Sequence, residues 1–108
     1  MMTDKERYII KIISKRIKEL NPDAEIILYG SHARGQAKKD SDWDILILLN
    51  KQNVTLTTEQ KYRHYLLDVE LEIGQPISVF VKSKKVWETK YPVTPFYQNI
   101  KNEGIRIS

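Results

Sequence analysis

Residues 29–44 read YGSHARGQAKKDSDWD. The segment opens at the end of one apolar run, Glu25-Ile26-Ile27-Leu28-Tyr29. It closes with Asp42-Trp43-Asp44 at the head of another, Ile45-Leu46-Ile47-Leu48-Leu49. Short apolar runs of this kind, bounded by polar residues and glycine, read as strands. Only a dozen residues join them, and so short a link favours antiparallel pairing. Antiparallel pairing sets the end of the first strand beside the beginning of the second. Gly30-Ser31 would then lie next to Asp42 and Asp44.

The flanking sequence completes an α/β pattern. Thr3 or Asp4 is placed to cap a helix carrying Ile9, Ile10, Ile12, Ile13, Ile17 and Leu20, mostly on one face. Asn21-Pro22-Asp23 stops it. Ser31 to about Gln36 reads as a short helix or turn, with Ser31 able to cap it. The second strand is expected over Asp42–Leu49. A long helix from Thr57 or Thr58, with Tyr62, Tyr65, Leu66, Val69 and Ile73 at helical steps, ends at Gly74. Pro76–Val81 reads as a third strand, parallel to the second across this helical crossover. Ser83 can cap a helical turn through Trp87. Thr94-Pro95 starts a last helix that ends at Asn102-Glu103-Gly104, and Ile105-Arg106-Ile107 reads as an edge strand. The expected fold class is α/β, one mixed sheet with helices packed on it, in a single domain over residues 1–108.

Composition narrows the function classes. The 108 residues are 41% hydrophobic and 30% charged, as in a soluble globular domain. No cysteine is present, which excludes disulfides and thiolate metal sites and fits a reducing cytoplasm. The start, MMTDKERY, shows no apolar signal region, and no run approaches a membrane span. The net charge of +4 suits a polyanion such as a nucleoside triphosphate. Its lysines are scattered, whereas a nucleic-acid binder more often carries a basic stripe.

The quoted segment carries the chemistry. Residues i and i+2 of a strand share a face, about 6.6 Å apart. Asp42 and Asp44 can therefore converge on one cation, and hard carboxylate oxygens suit Mg²⁺ that also holds substrate phosphates and water. Trp43, between them, points to the opposite face. Gly30 permits a sharp turn and a close phosphate approach, and Ser31 offers a hydroxyl donor. Arg34, one turn on, can add positive charge or a structural hydrogen bond. Separately, Gly-Ser and Asp-x-Asp are common. Together they form a phosphate cradle facing a carboxylate pair, as phosphoryl or nucleotidyl transfer requires.

Gly30-Ser31-His32-Ala33-Arg34-Gly35, followed by Ser41-Asp42-Trp43-Asp44 and Ile45–Leu49, resembles the signature of the DNA polymerase β-like nucleotidyltransferase superfamily, closest to its minimal single-domain nucleotidyltransferases. The resemblance implies a palm-like fold. It also implies binding of a nucleoside triphosphate, taken as ATP, with Mg²⁺, and transfer of a nucleoside monophosphate to an acceptor hydroxyl. Asp42 and Asp44 would be catalytic metal ligands, with Gly30, Ser31 and Arg34 on the nucleotide. It further implies a protein partner, of the HEPN type in toxin–antitoxin pairs. The chain is too short for a separate acceptor domain, so another protein or a second copy would complete that site.

One feature departs from the pattern. Such families take a third carboxylate from the next core strand. Here Pro76-Ile77-Ser78-Val79-Phe80-Val81 offers only Ser78, a poor Mg²⁺ ligand and a poor base at neutral pH. Asp68, Glu70 and Glu72 read as a solvated helix face, leaving open whether Glu70 or Glu72 substitutes. The alternative to an enzyme is therefore a catalytically weak or inactive module that binds nucleotide or partner. Of the rest, His32 reads as a surface residue and His64 as structural. Lys38 and Lys39 read as solvated loop residues, and Trp87, Tyr91, Phe96 and Tyr97 as core.

Overall fold

In the computed structural model, which describes residues 2–108, the first helix begins where its polar residues dictate. The Thr3 hydroxyl accepts from the Glu6 N–H at 3.1 Å, and the Glu6 carboxylate accepts from the Thr3 N–H at 3.0 Å. This reciprocal capping box satisfies two otherwise orphaned donors. Helix α1 (Asp4–Leu20) buries Ile9, Ile13 and Ile17. Strand β1 (Glu25–Tyr29), the one-turn helix α2 (Gly30–Arg34) and strand β2 (Trp43–Leu49) follow. The remaining elements are α3 (Leu56–Tyr65), α4 (Leu67–Ile73), β3 (Ile77–Ser83), α5 (Lys84–Lys90), α6 (Pro95–Glu103) and β4 (Ile105–Arg106).

The four strands form one mixed sheet in the order β3-β2-β1-β4. The β1–β2 pair is antiparallel and the β2–β3 pair parallel, as the two connection lengths favour. The short β4 lies antiparallel on the far side of β1. Alternation along the strands divides the sheet into two faces. On one, Ile26, Leu28, Trp43, Ile45, Ile47, Leu49, Ile77, Val79 and Val81 pack against α1, α3 and α4 as the main core. On the other, Leu46 and Leu48 pack beneath Trp87 and Ile100, flanked by Phe80, Tyr91, Phe96 and Tyr97. The C-terminal aromatic residues are thus core, as their sequence suggested. Asp44 has the parity of Leu46 and Leu48, so it belongs to this second face.

Three expectations about element limits are corrected. First, β2 starts at Trp43, leaving Asp42 one residue outside it. Second, the single long helix is two, α3 and α4, and it begins after a Thr55 cap rather than at Thr57 or Thr58. The break falls at Leu66, where the Tyr65 carbonyl accepts from Arg16 Nη2 at 3.3 Å. A side chain that takes a helix carbonyl in this way interrupts the ladder. Gly74 closes α4 in the left-handed conformation, φ 70°. Third, β3 runs on to Ser83, which then caps α5.

The outer margin of β3 is sealed by acids. Glu70 Oε1 accepts from the Ile77 N–H at 2.6 Å, and Glu59 Oε2 accepts from the Val81 N–H at 3.1 Å. Glu70 is accordingly not part of a solvated face, and its carboxylate is committed to β3. Asp68 pairs with Arg16 at 2.7 Å, and Glu72 is exposed.

Candidate active site

The β1–β2 register sets Tyr29 opposite Asp44, so Gly30 leaves β1 directly beside that acid. Gly30 has φ +77°, a conformation L side chains rarely adopt. A Cβ there would also overlap Asp44 Oδ2. Both backbone geometry and space therefore demand glycine. The parallel β2–β3 register places Ser78 next to Asp44, and the Ser78 hydroxyl donates to Asp42 Oδ2 at 3.0 Å. Gly30, Asp42, Asp44 and Ser78 thus gather at one end of the sheet.

The two aspartates are only partly compensated electrostatically. Among the described residues neither forms a salt bridge, and Asp44 makes no side-chain hydrogen bond. Burial raises the Asp44 carboxyl above the ordinary carboxylate range, and repulsion from Asp42 adds to this. His32 and Arg34 offset part of it. Tyr29, facing Asp44, is pushed up to about 12, chiefly by burial and then by the Asp44 charge. Unpaired carboxylates in contact with a half-buried face fit a divalent cation, which would remove both penalties. Among the described residues no third Asp, Glu, His or Cys joins them as a metal-holding group.

The other predicted groups are distributed unevenly. Ser31 lies within α2 and does not cap it. The cap position is Tyr29, with no side-chain bond, and the Ser31 hydroxyl has no partner among the described residues. Arg34 is nearby but already engaged. Its Nη1 donates to both Glu103 oxygens at 3.2 and 3.1 Å, and its Nε to Gln36 at 3.1 Å. Glu103 also accepts from the Gly30 N–H at 3.4 Å. Sequence gave no hint of Glu103, 73 residues from Gly30, because only the return of α6 to β1 brings it there.

His32 corrects the surface reading, being only 4% exposed. Its ring stacks on Trp43 with centroids 3.6 Å apart and planes 10° off parallel. Nδ1 lies 3.2 Å from Glu6 Oε2, and Nε2 lies 3.4 Å from the Ser41 carbonyl. The histidine therefore ties α1 to the loop that delivers Asp42. Trp43 Nε1 donates to Gln75 at 2.7 Å, and Gln75 donates to the Lys39 carbonyl at 3.1 Å, holding the loop from its other side. A polar tip on a buried tryptophan usually finds such a partner. Lys38, Lys39 and His64 are exposed, so the structural reading of His64 is not upheld by any buried contact. Replacing His32 by alanine removes the stack and both polar links. The expected cost is about 2–4 kcal/mol, measurable by urea unfolding. Loss of less than a few tenths would show the stack to be energetically idle.

Comparisons with known proteins place the chain in a family and match its fold. Residues 10–107 match the model of the nucleotidyltransferase domain family. A protein of Methanocaldococcus jannaschii, named as a candidate protein adenylyltransferase, is 32% identical over 101 residues, spanning 92% of this chain and 95% of the relative. A toxin–antitoxin crystal structure with AMP-PNP contains a chain that superposes with a TM-score of 0.68 at 16% identity, over 92% of this chain and 72% of the other. A mutant of the MntA-HpeT toxin–antitoxin gives 0.59 at 16% identity, over 89% and 68%. These two structures bear on the fold alone. The family model spans nearly all of the sequence, and a relative of almost equal length shares a third of its residues. On those grounds, this chain belongs to the nucleotidyltransferase domain family.

Proposed function

We propose that the protein is a Mg²⁺-dependent nucleotidyltransferase that moves the nucleoside monophosphate of a triphosphate to an acceptor hydroxyl. The observation that carries this reading is the contact between Gly30 and Asp44, with Asp42 alongside and, among the described residues, no salt bridge to either acid. Asp42 and Asp44 are the residues that would hold Mg²⁺. The Gly30–Ser31 turn accepts the phosphates, with Arg34 in support. A bound Mg²⁺ supplies neutralisation of charge on the reacting phosphates. The transfer forms a bond from the acceptor oxygen to the α-phosphorus and releases pyrophosphate. The acceptor proton passes to water or to a group on the acceptor, since Ser78 is no base.

Two similarities support finer choices. The archaeal relative's name favours adenylyl transfer to a protein, and the AMP-PNP in the structural neighbour favours an adenine nucleotide. The toxin–antitoxin neighbours favour a protein partner, for which the HEPN type is the candidate. No helix among the described residues is long and apolar enough to cross a membrane.

A second reading, a nucleotide-binding module without useful catalysis, is favoured by Ser78 in place of an acid. α-Labelled ATP, Mg²⁺ and the protein encoded beside this one separate the two. Label transfer to that protein supports the enzyme. MgATP binding without transfer supports the module, and absence of MgATP binding rejects both.

Glu103 makes this reading testable from another direction. Its carboxylate already engages Arg34 and the Gly30 N–H, groups assigned here to the triphosphate. Like charge at that spot opposes the incoming phosphate. Glu103→Gln is expected to tighten MgATP binding about two- to fivefold, the range of a partly exposed ion pair, as read by calorimetry. Weaker binding would mean that Glu103 serves to hold Arg34 in place.

A further inference from the structure

The acid pair is held unequally. Asp44 sits within β2, where the ladder to β1 and β3 fixes its backbone. Asp42 lies one residue before the strand and is exposed. Its neighbour Trp43 is anchored, donating its N–H to the Pro76 carbonyl at 2.9 Å. The Asp42 side chain itself has one hydrogen bond among the described residues, from Ser78 at 3.0 Å. An exposed aspartate beside a second negative charge would otherwise turn toward solvent, because repulsion and rotamer entropy both favour that.

We infer that Ser78 is a positioning residue: its hydroxyl pins the Asp42 carboxylate beside Asp44, so that the pair is preorganised for a divalent cation. This rests on the reading of Asp42 and Asp44 as a cation site. It gives Ser78 a role different from that of the acid it replaces. A carboxylate at this position would add a third negative charge to an only partly compensated pair. A serine instead donates a hydrogen bond to one of the two acids. Its bond occupies Oδ2 and leaves Oδ1 of Asp42 available. The register sets Ser78 beside Asp44, while its hydroxyl reaches Asp42.

Mn²⁺ binding, followed by the electron paramagnetic resonance of the free ion, tests this without any acceptor. Ser78→Ala is expected to weaken Mn²⁺ binding roughly tenfold, the size of one lost hydrogen bond to a charged group at a partly exposed site. Ser78→Thr keeps the hydroxyl on a strand-compatible side chain and is expected to bind within about twofold of the parent. Melting temperatures of both variants should match the parent, because the bond is at the surface. Equal binding by the alanine variant overturns the inference and leaves the cation site standing. Equal losses in the alanine and threonine variants also overturn it, by assigning the effect to packing. If the parent protein takes up no Mn²⁺, the cation site itself is rejected.

Discussion

Asp44→Asn is expected to abolish nucleotidyl transfer while leaving the protein as stable as before, or more so. Cation stabilisation of a transferring phosphoryl group contributes several kcal/mol. Loss of one of two carboxylate ligands therefore predicts a fall of about a thousandfold. The effect on stability has the opposite sign. Asp44 is half-buried, forms no salt bridge among the described residues and lies beside Asp42, and burial and that repulsion penalise its charge more than His32 and Arg34 relieve it. Asparagine has nearly the same shape and no charge. In metal-free buffer at neutral pH its melting temperature should therefore equal or exceed the parent's. A residue kept for folding behaves the other way, losing stability and function together. Transfer that survives within tenfold in the asparagine variant would remove Asp44 from the machinery.

Gly30→Ala is expected to damage both properties. The residue holds φ +77°, and its new methyl group would enter the space of Asp44 Oδ2. Strain of this kind costs about 1–3 kcal/mol. The collision cannot be relieved without moving either the turn or the acid, which together form the proposed site. The expected result is a visibly lower melting temperature and loss of MgATP binding beyond what partial unfolding explains. Gly74→Ala provides a comparison. Gly74 has a similar φ of +70° but open space around it, so only the backbone strain should appear, with nucleotide binding intact. If the two variants bind MgATP equally, the contact between Gly30 and Asp44 has no functional weight.

Much of this arrangement was legible in the sequence because it is local or set by connection length. The brief link between Tyr29 and Trp43 favours antiparallel pairing, which the structure shows. The helix caps at Thr3, Ser83 and Thr94 use side chains within three residues of the backbone groups they satisfy. What escaped reading is tertiary. His32 stands in a polar segment, so only its stack on Trp43 and its reach to Glu6 explain its burial. Arg16, 49 residues from Tyr65, breaks what the periodicity presents as one helix. Glu70 follows the pattern of a solvated helix face until β3 folds against it. Of the candidate site, sequence singled out the acids, the turn and Arg34, and marked Ser78 only as the residue standing where a third acid was expected. It did not show that Ser78 binds Asp42, or that Glu103 already rests on Arg34.

The two glutamates bonded along β3 also restrict how this molecule can associate. An unprotected strand margin invites another polypeptide to extend the sheet. Here Glu59 and Glu70 lie across that margin, each accepting a backbone N–H. An arriving strand would have to break two charge-assisted bonds and meet two negative charges on the way. Lateral growth on that side is therefore disfavoured, which leaves a companion chain the helix surfaces, the β4 margin or the aspartate end of the sheet.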